Sequence, residues 1–275
     1  MFRKILITTL IIGFVTLIGG VILIKGDFNK VIAAFTYQED YEFIEESGEE
    51  KVEVVNLNLI ANNVNIYYSE DETYNVSYYS SENDRIVFSF YKGILSLEGK
   101  RKLRFGFINK INIKSQVEKQ VNIYLPKDFS GIVKGEIASG KLTIDDLNIE
   151  KVAFEITSGS IFVNNTKIKE GKIATVSGNI NIEKSQIDNL KGNTTSGNIN
   201  INDITSDTIK IDTTSGNVTI NVIGNKEDYK LDVNVTSGSI YLDGLKIANQ
   251  ILNENKNKLI ELKITSGKGR INFSG

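Results

Sequence analysis

The sequence has no cysteine, no histidine and no tryptophan, and one proline in 275 residues. Without cysteine there is no disulfide, no thiol nucleophile and no lipid-modified cysteine anchor. The fold must therefore be held by burial and hydrogen bonding alone. Without histidine as well, Ser-His and Cys-His dyads and the usual zinc ligand sets are excluded. Charge of one sign is also scarce, since 32 basic side chains face 34 acidic ones for a formal net charge of -2. That balance argues against nucleic acid as a partner. What is present is a hydrophobic content of 40%, enough for a core, and an abundance of Ile, Asn and Lys that suits β-structure.

The second half of the chain repeats a short phrase. It reads Ala138-Ser139-Gly140, Thr157-Ser158-Gly159, Val176-Ser177-Gly178, Thr195-Ser196-Gly197, Thr214-Ser215-Gly216, Thr236-Ser237-Gly238 and Thr265-Ser266-Gly267. The glycines are 19, 19, 19, 19, 22 and 29 residues apart. A period held this long is the signature of a stacked repeat fold. Counted from each Ser, the positions at minus two and minus four, and at plus three and plus five, are mostly Ile, Val or Leu; Gly269 breaks the plus-three column. Each repeat is then two alternating strands around a Ser-Gly corner. The expected class is all-β: a parallel β-helix or β-solenoid with 19-residue coils, right-handed by default. The glycine is expected to turn the corner through positive φ, with the neighbouring Thr and Ser bonding local backbone.

The start of the chain points to a membrane. Ile5–Ile24 is an uncharged run of twenty residues, preceded by Arg3 and Lys4. As a helix it would span about 30 Å, the thickness of a bilayer core. It is too long for the apolar region of a cleaved signal peptide. It is therefore expected to be an uncleaved signal anchor, with the N-terminus cytoplasmic and the bulk of the chain extracytoplasmic. The organisation follows: residues 1–25 as stub and transmembrane anchor, 26–50 as an acidic juxtamembrane stalk, 51–130 as an irregular β beginning of the stack, and 131–275 as the regular repeats. Within 51–130, Asn62-Asn63-Val64-Asn65-Ile66 reads as a worn copy of the later repeat.

Few residues suggest chemistry. Lys100, Arg101, Lys102 and Arg104, with Phe105 and Phe107, form a basic cluster near Gly99 and Gly106, which suggest a hairpin tip or long loop. It is a candidate contact for an anionic polymer or lipid headgroups. Asn179, Asn198 and Asn217 share one column and Asn181 and Asn200 another, as stacked amide ladders would require. Asp145-Asp146 is the best carboxylate pair for an enzyme, but adjacent strand residues point to opposite sides, which favours a turn role. Leu245 to Lys258 places Ile247 and Ile251 four apart and is expected to form a short amphipathic helix. No catalytic, cofactor or metal residues are expected; the nonapeptide of calcium β-rolls is absent.

The phrase Thr-Ser-Gly-Asn-Ile-Asn-Ile, the Leu125-Pro126 strand end before the repeats and the N-terminal anchor together resemble the bacterial putative-adhesin family. The resemblance covers residues 51–275 and implies an envelope location with an adhesive or envelope-stress role. It brings no catalytic residues. The expected function is a non-enzymatic, membrane-anchored module that offers a long β-face to an envelope polymer or a membrane protein. The alternatives are an envelope-stress signalling component acting through a membrane partner, or a polysaccharide-acting β-helix enzyme.

Overall fold

The computed structural model describes residues 36–37, 40–102, 111–112 and 115–275. The expected membrane helix Ile5–Ile24 lies outside them, and among the described residues no helix is long and apolar enough to cross a membrane. The chain divides into two units. Of the smaller, residues 1–40 and 102–115, the described strands are β1 (Thr36–Tyr37) and β7 (Ile111–Asn112), paired in parallel. The larger, residues 41–101 and 116–275, holds all the other strands.

These run in order as β2 (Glu42–Gly48), β3 (Val54–Tyr68), β4 (Tyr74–Ser80), β5 (Asp84–Tyr91), β6 (Ile94–Arg101) and β8 (Gln120–Leu125). The repeats supply β9 (Ile132–Asp145), β10 (Asn148–Asn164), β11 (Lys167–Ser177), β12 (Ile180–Glu183), β13 (Gln186–Ser196), β14 (Ile199–Ile204), β15 (Thr208–Ser215) and β16 (Val218–Ile223). The end of the chain supplies β17 (Tyr229–Leu242), β18 (Leu245–Ile247), β19 (Gln250–Leu252) and β20 (Lys258–Ser274). The fold is all-β, as the alternation of apolar residues requires.

Two parallel ladders carry the repeats. Before the corner, β9, β10, β11, β13, β15, β20 and β17 pair in that order. After it, β9 and β10 continue into β12, β14, β16 and again β20 and β17. Strands β3, β9, β10, β17 and β20 cross the corner unbroken, so the ladders join and the sheet closes on itself as a barrel. In the regular part each residue pairs with the one 19 positions on, as Ser158 does with Ser177 and Ile161 with Ile180. The inward columns are buried throughout; Leu142, Ile161, Ile180, Ile199 and Val218 are all fully inaccessible.

The corner glycines are needed for space as much as for conformation. Gly159, Gly178, Gly197 and Gly216 have φ between 148° and 154°. A Cβ on Gly178 would lie 1.5 Å from the carbonyl oxygen of Gly159 in the adjacent strand, and one on Gly159 would lie 1.7 Å from that of Gly140. Asn62 heads this column and is not glycine, because β6 and β8 beyond it pair with β3 on either side of the corner and leave that position unopposed. The worn copy is thus in register with the first repeat. The hydroxyl bonds at the bend come from Thr175 and Thr194, two residues before the Ser, and both reach the Gly178 carbonyl.

Three local expectations are corrected. Leu245 to Lys258 is not helical: the two-residue turn Asp243-Gly244, with φ of 48° and 80°, returns the chain as β18 and then β19, both antiparallel to β17. Positive φ at both turn residues suits the strand twist, and the sheet edge supplies hydrogen bonds a lone short helix would lack. Gly99 lies inside β6, whose hairpin with β5 turns at Lys92-Gly93 with positive φ at both residues; Gly106, the other glycine of the expected tip or loop, lies outside the described residues. Glu42–Gly48, expected within the solvated stalk, is a strand paired with β4, because its Ile44 packs against the core.

The repeats also do not stack in chain order. Ser266 lies between Ser215 and Ser237, so the last strand, β20, is inserted between β15/β16 and the earlier β17. Gly269 leaves room for side chains of its own strand, since Leu262 Cδ2 and Ile264 Cδ1 lie 2.9 and 3.2 Å from where its Cβ would be. The outer edge of β17 is closed by β18 and β19, and between them Asn249 pairs like a backbone unit. Its Oδ1 accepts from Val235 N–H at 2.9 Å and its Nδ2 donates to Val235 O at 3.0 Å. Covering an edge this way suppresses edge-to-edge association.

Gly178→Ala is expected to cost more than about 4 kcal/mol, or to prevent folding, because backbone must move. Gly244→Ala, where nothing lies within 4 Å of the new Cβ, is expected to cost only about 1–2 kcal/mol. Urea denaturation of both variants checks the contrast.

Candidate ligand-binding faces

The basic cluster is partly committed to the fold. Lys100 pairs with Glu98 at 3.2 Å, and Arg101 pairs with Asp84, also at 3.2 Å. Asp84 is buried and accepts a second hydrogen bond from the Tyr41 hydroxyl. Arg101 therefore neutralises a buried carboxylate, a contact that costs stability if broken. Lys102 is described; Arg104, Phe105 and Phe107 lie outside the described residues.

Both asparagine columns form ladders. Asn198 N–H donates to Asn179 Oδ1 at 2.9 Å, Asn217 N–H to Asn198 Oδ1 at 3.0 Å and Lys268 N–H to Asn217 Oδ1 at 3.2 Å. Each amide thus caps the corner of the adjacent strand. In the second column Asn200 Nδ2 donates to Asn181 Oδ1 at 3.1 Å. A third ladder, not singled out in the sequence, runs from Asn272 through Asn221 to Asn202, with both bonds at 2.7 Å. Asp145 and Asp146 each accept an amide bond, from Asn164 and Asn165, and Asp146 sits at a φ of 57°. That is the turn role expected for the pair.

The outward residues of the two ladders differ in chemistry. Before the corner they are mostly charged. One column reads Lys134, Ala153, Lys172, Lys191, Lys210 and Glu261 in register. Neighbours in such a column are about 4.8 Å apart. Lys210 pairs with Glu261 at 3.6 Å, and Lys151 with Glu170 at 2.8 Å on the same face. Lys172 and Lys191 are exposed and have no ion pair among the described residues. Where Gly135, Ala153 and Ala174 keep the surface low, a groove of about 410 Å³ opens, edged by Asn56, Asn58, Glu136, Glu155 and Lys172.

After the corner the outward residues are mainly amides and aromatics. One row reads Asn122, Asn65, Thr143, Phe162, Asn181, Asn200 and Thr219. Tyr67 and Tyr124 lie beside it, with ring centroids 5.9 Å apart. Burial first, then the nearby Asp145 and Tyr124, raises the Tyr67 pKa, so its phenol remains a proton donor at neutral pH. None of these tyrosines was a candidate in the sequence. The alternation through Asn65 and Tyr67 gave their outward side, but Tyr124 meets Tyr67 only through the long-range pairing of β3 with β8.

The lysine column makes a testable demand. Like charges directly opposed on neighbouring strands are destabilising. Lys191→Gln is expected to raise stability at low salt by about 0.2–1 kcal/mol. The gain should shrink in 1 M salt, where the screening length is about 3 Å. Denaturation midpoints at the two salt levels check this.

Among solved structures, the chain is similar to a putative cell adhesion protein from Clostridium sporogenes, with 18% identity, a TM-score of 0.39, and 84% of this chain and 99% of that one covered. A putative adhesin from Bacteroides fragilis has 14% identity and a TM-score of 0.48, covering 86% and 100%. One from Parabacteroides distasonis has 12% identity and a TM-score of 0.41, covering 87% and 100%. No curated protein matches the chain. The profile of the Toastrack DUF4097 family matches residues 52–273, the stretch that holds the worn copy, the corner glycines and both ladders. The chain belongs to the Toastrack DUF4097 family, in agreement with the putative-adhesin resemblance carried by its Ser-Gly phrase.

Proposed function

We propose that the protein is a non-enzymatic, adhesin-like module, anchored in the membrane by Ile5–Ile24, that holds its β-faces toward a polymer of the cell envelope. In this reading the two ladders are opposite faces of a β-solenoid with 19-residue coils, and the cross-corner strands are its continuous turns. One observation carries the reading: apart from one shift between Ile201 and Ile204, neighbouring strands stay in register from Val54 to Phe273, so outward positions recur on the neighbouring strand. A surface that repeats every ~4.8 Å presents equivalent contacts along a line. That suits a ligand which itself repeats, and many weak contacts then add through effective concentration.

The Lys100–Phe107 stretch is a secondary, anionic contact in this proposal. Arg101 serves the fold by facing Asp84, so charge reversal there is expected to lower stability as well as binding. Lys100, whose partner Glu98 is about as exposed as itself, is the cleaner probe.

The test is retention of the full-length protein, reconstituted in lipid vesicles, on isolated cell-wall particles. Sedimentation with the particles, at levels well above empty vesicles, is expected. The absence of retention on both intact particles and polymer stripped from them would exclude this function. Release of reducing sugar from the particles by the purified protein would instead favour a polysaccharide-acting enzyme.

A further inference from the structure

The face after the corner extends beyond the repeats, and its composition changes there. Strand β4 pairs antiparallel with β8, and β2 with β4, so the surface of β3 continues over three more strands. In register across it, Tyr67 faces Tyr124, Asn65 faces Asn122, and Tyr79 faces Phe43. All six point outward, since the alternate positions Val64, Ile66, Val76, Val121 and Ile123 are fully buried. Phe43 is 53% exposed and Tyr124 is 38% exposed.

The result is two aromatic pads with amides between them. The Phe43 and Tyr79 rings are 5.3 Å apart, and the Tyr67 and Tyr124 rings 5.9 Å. Tyr124 and Tyr79 attach four residues apart along β8 and its partner, since Tyr78 pairs with Val121 and Asn75 with Tyr124. At ~3.4 Å per residue along the strands and ~4.8 Å between strands, the pad centres are about 17 Å apart. Between them Asn65 Nδ2 donates to Asn122 Oδ1 at 2.9 Å, which fixes both amides while leaving Asn65 Oδ1 to accept. The cations and carboxylates that dominate the face before the corner are sparse here. Glu45, the nearest carboxylate on β2, is held by Asn75 Nδ2 at 2.6 Å.

We infer that this platform is a binding site for a neutral polysaccharide. A pyranose ring has one face lined by C–H groups and an edge lined by hydroxyls. Its C–H face suits the negative face of an aromatic ring, and its hydroxyls suit side-chain amides that both donate and accept. Two pads separated by amides fit an oligosaccharide that rests one sugar on each pad and turns hydroxyls toward Asn65 and Asn122. An uncharged chain meets no penalty for displacing a counter-ion on this surface. An anionic chain would instead be drawn to the lysine column of the other face. The inference rests on the envelope-polymer reading above and names the ligand class and the face.

The test uses the full-length protein in detergent micelles and three neutral hexasaccharides as probes: a β-1,4-glucan, an α-mannan and an N-acetylglucosamine oligomer. At least one is expected to bind by calorimetry. Tyr124→Ala should weaken that binding at least tenfold and Phe43→Ala several-fold, while Lys191→Gln leaves it unchanged. Both aromatic residues are exposed, so these variants should fold; an unchanged unfolding midpoint verifies this. Failure of all three probes, or equal binding by the Phe43→Ala, Tyr124→Ala double variant, overturns the inference. Recognition of an envelope protein through the same residues, with no glycan bound, also overturns it. Retention on cell-wall particles that survives the double variant would overturn this site alone and leave the envelope-binding function standing.

Discussion

The structure depends on one close contact, repeated at every Ser-Gly corner. The carbonyl oxygen of one corner glycine occupies the space where the next would carry its Cβ. At Gly178 the clearance is 1.5 Å, and at Gly238, across from the inserted last strand, it is 1.7 Å. No side chain fits there, so each corner both turns the chain and locks the register between neighbours. The asparagine ladders build on that lock. Asn198 can accept the N–H of Asn217 only because the corners are superimposed. The buried Ile and Val columns depend on it as well, since a slip of one residue would turn them outward.

A stack of parallel strands has two open ends, and the chain closes them in different ways. At the first, antiparallel strands β2, β4 and β5 extend the sheet, and Tyr74 stacks on Phe90 with centroids 5.2 Å apart over the core. At the second, the chain goes past its own final position, turns back through Asp243-Gly244 and fills the gap with β20. Tyr229 completes that end, fully buried, with its hydroxyl donating to Ser206 O at 2.6 Å. Closing an end with the chain's own strands leaves fewer unpaired backbone groups for another molecule to join.

With the core uniform and the corners spent on register, chemical variety is left to the outward positions. They divide it between them. The face before the corner carries lysines and glutamates and a shallow groove; the face after it carries amides and aromatics. The amides of one face and the ion pairs of the other tie neighbouring strands together. The lysine column opposes folding, while surface aromatics contribute little burial on that side.

Much of this was legible in the residues. The spacing of the Ser-Gly phrases gave the strand pairs, the inward columns and two of the amide ladders, because a parallel register repeats local sequence without change. The worn copy at Asn62 to Ile66 was recognisable for the same reason. Three things were not. The order of the last two repeats was hidden, because equal phrases do not say which neighbour each will choose. The stretch after Leu245 carried helical spacing by chance, and the unsatisfied edge of β17 decided it as strand. The aromatic platform was hidden most deeply. Tyr67 and Tyr124, and likewise Phe43 and Tyr79, meet across long loops of chain with no shared period. The sequence by itself determined the alternating strands around each Ser-Gly corner and their buried columns, since those are local and repeated; only the tertiary structure decided which ends close, and which side chains gather on one face, because those follow from pairings between distant strands.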